Sequence, residues 1–125
     1  MLKEKPIKKV VVAGCRDYDD YAQAKAYIDF CLSTIVEDNT IVIVSGGASG
    51  ADALGERYAR EKGWAIERHP ADWETYGRSA GPRRNEEMAK ICDYVICFWD
   101  GESRGTKSMI ESAKKHGKPF RIKKI

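Results

Sequence analysis

Three short runs, Lys8–Ala13, Thr40–Ser45 and Tyr94–Trp99, are apolar along nearly their whole length rather than at every second position. A strand can carry that pattern only if both of its faces are covered, as in a parallel sheet held between layers of helices. The segments between the runs have helical spacing. Asp19 or Asp20 can cap a helix reaching about Val36, with Ala24, Ile28, Cys31, Leu32 and Ile35 on one face. A second helix over Gly50–Lys62 turns Leu54 and Tyr58 inward and stops at Gly63. Pro82 suits the first position of a third helix ending near Ile91. A fourth, Thr106–His116, places Met109, Ile110 and Ala113 inward before Gly117 and Pro119 end it.

Two further strands, Trp64–His69 and Phe120–Ile125, carry charges such as Glu67, Arg68, Arg121 and Lys123. Charge is tolerated on sheet edges and discourages stray pairing there. Alternating strands and helices force parallel pairing. The expected fold is therefore α/β: a Rossmann-like three-layer sandwich, with a five-stranded parallel sheet in the order 3-2-1-4-5 and helices on both faces. One domain spans residues 1–125. The chain reverses direction between strands one and four, and ligands of open α/β sheets bind outside the carboxyl ends of strands at such a switch point.

The loops at those ends are unusual. After strand two, Ser45-Gly46-Gly47-Ala48-Ser49-Gly50-Ala51-Asp52 opens a helix. Glycines let backbone approach a ligand, and free amides at a helix start suit a phosphate. The alternative is a tight turn. After strand four, Asp100-Gly101-Glu102-Ser103-Arg104-Gly105-Thr106 repeats the logic, against a solvated turn capped by Thr106. After strand one, Gly14-Cys15-Arg16-Asp17 puts Arg16 at the switch point, free to reach an anion or to pair with Asp17 or Asp19. Arg83 and Arg84 fall in the first turn of the helix after Gly81-Pro82, where each cation opposes the helix dipole at a cost of about 0.3–1 kcal/mol. A bound anion reverses that cost, since guanidinium forks match phosphate. Pairing with Asp72, Asp100 or Glu87 is the competing account. Residues 70–81 read as a long irregular connection in which Trp73 or Tyr76 stacks on a base or fastens the loop down.

Other chemistry is disfavoured. His69 and His116 lack metal-ligand spacing, so no metal is expected. Ser45, Ser49, Ser103 and Ser108 lack a histidine partner for a hydrolase triad. No lysine follows the glycines as in a P-loop. Cys15, Cys31, Cys92 and Cys97 form no CxxC and read as reduced, mostly buried thiols, with Cys15 an ordinary loop cysteine. With no apolar leader in residues 1–6 and no run near about 18 apolar residues, a cytoplasmic location off the membrane is expected. A chain of 125 residues buries roughly two thirds of its unfolded surface and needs no staple. The net charge of +3 admits an anionic ligand but is far from the dense basic stripe of a nucleic-acid binder.

Taken in order, Gly14-x-Arg16, Ser45-Gly46-Gly47-Ala48-x-Gly50-Ala51-Asp52, Ala71-Asp72-Trp73, Gly81-Pro82-x-Arg84-Asn85-x-x-Met88 and Trp99-Asp100-Gly101-x-Ser103-x-Gly105-Thr106 resemble the SLOG superfamily. These are Rossmannoid proteins related to the LOG cytokinin-activating enzymes and to DprA, and the chain is most similar to the small YspA/YpsA-related branch. The resemblance covers nearly the whole chain and implies the fold derived above, with a nucleotide or nucleotide derivative as ligand. It also makes self-association through helix faces an expectation of the family, which no residue of this chain signals. LOG enzymes are phosphoribohydrolases, and Arg84 and Gly105-Thr106 match their pattern, with Asn85 in place of a lysine. Their glutamate, three residues after the threonine, falls on Met109. Glu111 is turned about 200° further around the helix.

The first expectation is therefore a binding module or sensor for a nucleotide-derived ligand, such as an ADP-ribose-like or cyclic nucleotide species, with no other cofactor. It places phosphates at the two glycine loops and adds Arg16, Trp73, Arg83, Arg84 and Asn85 to the site. The second is hydrolysis of a nucleotide N-glycosidic bond, with Arg84, Asp100 or Asp52 central. The third is a DprA-like, DNA-associated module.

Overall fold

The structure is a computed structural model that describes residues 4–125. Its elements run β1 (Ile7–Gly14), α1 (Tyr21–Leu32), β2 (Thr40–Ser45), α2 (Ala51–Lys62), β3 (Ala65–Arg68), α3 (Trp73–Tyr76), a 3₁₀ turn (Gly77–Ser79), α4 (Ala80–Ile91), β4 (Tyr94–Trp99), α5 (Arg104–Lys115) and β5 (Phe120–Lys124). The five strands form one sheet in the order β3-β2-β1-β4-β5, and every pairing is parallel. The expected topology is borne out, with the charged strands at the edges.

Successive residues of a strand point to opposite faces, so the continuous apolar runs feed two cores. Val10 and Val12 join Ile28 of α1, Tyr58 of α2 and Phe98 on one face. Val11 and Ala13 join Met88 of α4 and Met109 and Ile110 of α5 on the other. The helices thus lie in two layers, leaving the carboxyl edge of β1, β2 and β4 at their shared boundary. No helix among the described residues is long and apolar enough to cross a membrane.

Three helix boundaries differ from expectation. Asp20 caps α1 as expected, accepting the Gln23 amide at 3.0 Å, but the helix ends at Leu32 rather than Val36. The β-branched Thr34-Ile35-Val36 run loses side-chain freedom in a helix. There the chain makes turns instead, with the Ser33 hydroxyl on Phe30 O and the Asn39 side chain on Ile35 O. The connection after β3 is not irregular: Asp72 caps the short α3, and the 3₁₀ turn leads straight into α4. Helix α4 therefore starts at Ala80, and Pro82 is its third residue. The first amides of a helix have no intrahelical partner, so a proline there sacrifices no bond. Finally, α5 starts at Arg104, capped by Ser103 rather than Thr106.

Candidate functional site

The carboxyl ends of β1 and β4 and the starts of α2, α4 and α5 enclose an open cleft of about 490 Å³. Its floor is Ala13, Met88 and Met109, and its walls bring together Gly14, Arg16, Ala48, Asp52, Trp73, Arg84, Asn85, Asp100, Ser103, Arg104, Gly105 and Thr106. A second hollow of about 310 Å³ lies alongside, against Gly46, Gly47, Ser49, Pro70 and Ala71. Arg16, Ala48, Trp73 and Arg84 belong to both. Ser45, Gly50, Ala51, Gly101 and Arg83, also expected at the site, line neither hollow. Arg78, Ser108 and Met88 line the cleft without having been singled out as ligand contacts.

The β2–α2 loop is shaped by two close approaches. Gly50 has φ +75°, and a Cβ there would lie 2.2 Å from Cys15 O. The same packing lets the Ala51 amide donate to Cys15 O at 3.1 Å, locking α2 to the β1 loop. At Gly46, a Cβ would lie 2.5 Å from Arg84 Nη1 and 2.8 Å from Asp52 Oδ2. Arg84 Nη1 donates to Gly46 O at 2.7 Å, and Asp52 Oδ2 accepts the Ala48 amide at 3.3 Å. A line of bonds braces this loop from below. The Gly47 amide donates to Ser45 Oγ, which donates at 2.7 Å to the buried Glu56, which in turn accepts Arg68 Nη2 at 2.6 Å. Those bonds hold the Glu56 carboxyl below its ordinary range, Arg68 first among them. The Gly47, Ala48 and Ala51 amides are thus already committed, so this loop is a less open anion seat than its glycines imply. Ser45 has a bracing role, and Glu56 went unnoticed in the sequence. The signal for it was a charge on the inward stripe of α2, four residues after Asp52.

The start of α5 is freer. Asp100 Oδ1 accepts the Glu102 and Ser103 amides at 2.8 Å each, which fixes the loop and holds the carboxyl below its ordinary range. Ser103 Oγ accepts the Thr106 amide. The Arg104 and Gly105 amides make no hydrogen bond among the described residues. A Cβ on Gly105 would meet nothing within 4 Å. Exposed amides at a helix N-terminus favour an anion.

The arginines separate into two groups. Arg83 and Arg84 are the fourth and fifth residues of α4, so the expected first-turn clash with the dipole is much reduced. Arg83 stacks on the Tyr76 ring, 4.3 Å from its centroid, and donates to Ser79 Oγ. It lines neither hollow. Arg84 is half-buried in the cleft wall; its Nε donates to Asn85 Oδ1, and Nη2 is uncommitted among the described residues. Arg16, Arg78 and Arg104 are exposed and form no ion pair among the described residues, so the Arg16 pairing with Asp17 or Asp19 does not form. Asn85, buried, donates to Gly105 O and Ser108 Oγ, tying α4 to α5.

Asp52 is 5% exposed, and burial pushes its carboxyl up to about 6 against the pull of the Ala48 amide and Arg84. Burial also lowers Arg84 from its ordinary value, with Asp52 opposing and Arg16 adding to the effect. Desolvation therefore outweighs mutual attraction for both partners. Trp73 is 51% exposed, yet its indole edge lies over Gly81. It is both fastened and available. Met109 is fully buried in the cleft floor, and Glu111 is exposed outside the cleft. Burial raises the Cys15 thiol, which is no activated nucleophile. His69 and His116 bond Glu67 and Glu86, and the described residues contain no cluster able to hold a metal.

A single parallel sheet wound on both faces, with a cleft at its switch point, defines a Rossmann-like domain of the type that DprA and LOG-like proteins share. The chain belongs to the YspA, cpYpsA-related SLOG family, whose model matches residues 8–76. Gene 61 protein of Mycobacterium phage D29 is 41% identical over 85 residues, covering 63% of this chain and 68% of the phage protein. Among solved structures, DNA processing protein A (DprA) from Streptococcus pneumoniae superposes with a TM-score of 0.69 at 20% identity. That alignment covers 94% of this chain and 50% of the DprA chain, so this chain spans only half of that relative. DprA from Helicobacter pylori gives a TM-score of 0.64 at 22% identity over 94% of this chain and 65% of that one. TM1055 gives 0.64 at 23% identity over 90% and 72%. At these identities the structural matches establish the fold.

Proposed function

We propose that this domain binds a phosphate-bearing nucleotide or nucleotide derivative in the cleft, as a binding module. The observation that carries the reading is the convergence of Arg16, Arg84 and Arg104 with the open amides of α5 over an apolar methionine floor. Guanidinium forks and helix-start amides recognise phosphate, while an apolar floor takes a base. Family membership supports the same class of ligand. The test is thermal stabilisation by AMP and ADP. A nucleotide at about 100 times its Kd adds about 2.7 kcal/mol to stability. Arg84→Ala should abolish that gain while the variant still unfolds cooperatively. Equal stabilisation of parent and variant would move the site elsewhere.

Asp52 favours one second reading, N-glycosidic hydrolysis. A buried carboxyl raised to about 6 and lining the cleft is suited to general acid work near neutral pH. Asp100 fits that role less well, because its carboxyl is exposed, ionised and engaged by two amides. Chromatography for free base after incubation with nucleoside monophosphates decides the matter: release that Asp52→Asn abolishes supports hydrolysis, and binding without release removes it. The Helicobacter pylori DprA structure concerns single-stranded DNA binding. A DNA-binding role for this chain predicts retention of single-stranded DNA that weakens steeply with salt.

A further inference from the structure

We propose that the open edge of β5 docks an extended acidic segment of another protein, which joins the sheet as a further strand. The proposal is independent of the nucleotide reading, because none of the residues it uses lines the cleft or the hollow beside it. An edge strand presents unpaired backbone groups that a peptide can take up. The Val95 amide donates to Pro119 O and the Ile125 amide to Trp99 O, so Pro119, Arg121, Lys123 and Ile125 turn their backbone groups toward β4. The direction alternates along a strand, which leaves the amides and carbonyls of Phe120, Ile122 and Lys124 facing outward.

Charge separates this edge from the one at β3. On β3, Glu67 pairs with Lys9 and His69, and Arg68 pairs with Glu56. On β5, Arg121, Lys123 and Lys124 form no ion pair among the described residues. Like charges repel a second copy of this strand, whereas an acidic strand is attracted. The two sides of the edge also differ. Arg121 and Lys123 are in register with Ile96 and Phe98, so they lie on the side of α1 and α2. There β5 is met by side chains from the flank of α1. The Arg121 guanidinium lies 5.3 Å from the Phe30 ring centroid, and the Lys123 ammonium 5.9 Å from that of Tyr27. Phe30 is 59% exposed. Both rings are already engaged by these cations and by each other, so the patch presents positive charge on an apolar base rather than free ring faces for nucleobases. Ile122, in register with Cys97, lies on the other side with Phe120 and is exposed. A strand added here meets cations with one set of alternate side chains and Phe120 and Ile122 with the other. That pattern calls for acidic residues at every second position with β-branched residues between them.

Fluorescence anisotropy with labelled peptides about as long as β5 tests this. The probe alternates glutamate with valine, and its control carries glutamine in place of glutamate. The acidic probe should bind about tenfold or more tighter than the control at low salt, and the gap should close as salt screens the charges. Backbone N-methyl groups on one alternate set of probe residues should abolish binding, while those on the other set should leave it within about twofold, because only one set of amides faces the edge. Arg121→Glu and Lys123→Glu together should weaken the acidic probe by about tenfold or more and admit a probe with lysine in place of glutamate, which shows that the edge itself is intact. The proposal is overturned if the acidic probe binds no tighter than its control, or if the two N-methylated sets behave alike. It is equally overturned if the reversed protein keeps the acidic probe or refuses the lysine probe. Oligo-dT binding that the same reversal removes, without binding of the acidic probe, assigns the face to nucleic acid and also overturns it.

Discussion

Replacing Asp52 by asparagine should raise stability at neutral pH and remove one pH dependence. Burial raises the carboxyl from 3.8 to about 6. At about 1.4 kcal/mol per pH unit, ionising this group in the folded state costs about 3 kcal/mol relative to the unfolded chain. The sign follows from proton counting. Between pH 4 and 6 the folded protein holds the proton and the unfolded chain has released it. Stability therefore falls as pH rises through that window, and the full cost is present above about pH 6. Asparagine keeps an oxygen for the Ala48 amide and carries no charge. Urea unfolding of parent and Asp52→Asn from pH 4.5 to 8 isolates the effect, because the carboxyls held low, Glu56, Glu67, Glu86 and Asp100, are common to both proteins. The difference should grow from about 1 kcal/mol at pH 4.5 to about 3 kcal/mol at pH 7, or about 10 °C in Tm for a domain of this size. Parallel profiles, or a variant less stable than the parent at pH 7, would refute the claim that desolvation dominates at this site.

Other perturbations probe the frame of the cleft. Glu56→Gln should lower stability at pH 7 by about 1–3 kcal/mol, since it weakens the bonds to Ser45 and Arg68; because the Glu56 carboxyl is held low, the deficit should shrink as pH falls below its ordinary value of 4.5. A urea series carried down to pH 3 measures it, and a deficit that grows toward acid pH would contradict the assignment. Gly50→Ala places a Cβ against Cys15 O at a positive φ and should cost about 3 kcal/mol or more, whereas a loss under about 1 kcal/mol in urea unfolding would mean that the β1 and β2 loops are not locked together. Met109→Glu restores the carboxylate of the LOG pattern in a buried floor; it should destabilise by several kcal/mol, and a variant as stable as the parent would show that the floor admits water. Arg84→Lys keeps the charge but loses the fork, and should fail to restore AMP-induced stabilisation; full rescue would reduce Arg84 to a point charge.

The sheet was legible because it depends on one-dimensional patterning. Runs apolar on both faces had to be central, charged runs had to be edges, and the crossover helices left one consistent order. The boundaries that were misplaced are those where local signals competed with packing. Pro82 looked like a helix start, but a helix tolerates proline anywhere in its first turn, and the preceding 3₁₀ turn had already set the axis. Thr106 and Ser103 are both good caps in isolation, and only the Asp100 turn selects Ser103.

For the site, the residue types and the sheet edge they gather on were determined by the sequence alone, because strand order puts every βα loop of a parallel sheet on one side. Their division of labour was decided by the tertiary structure. Arg83 and Arg84 are neighbours in the chain, yet one stacks on Tyr76 and the other enters the cleft, because successive helix residues point about 100° apart. The glycine loop after β2 has committed amides, while the loop after β4 leaves two free. The raised Asp52 carboxyl depends on the depth of its burial beside Arg84, thirty-two residues away in the chain. Desolvation and spare hydrogen-bonding capacity are sums over neighbours in space, and those neighbours exist only once the chain has folded.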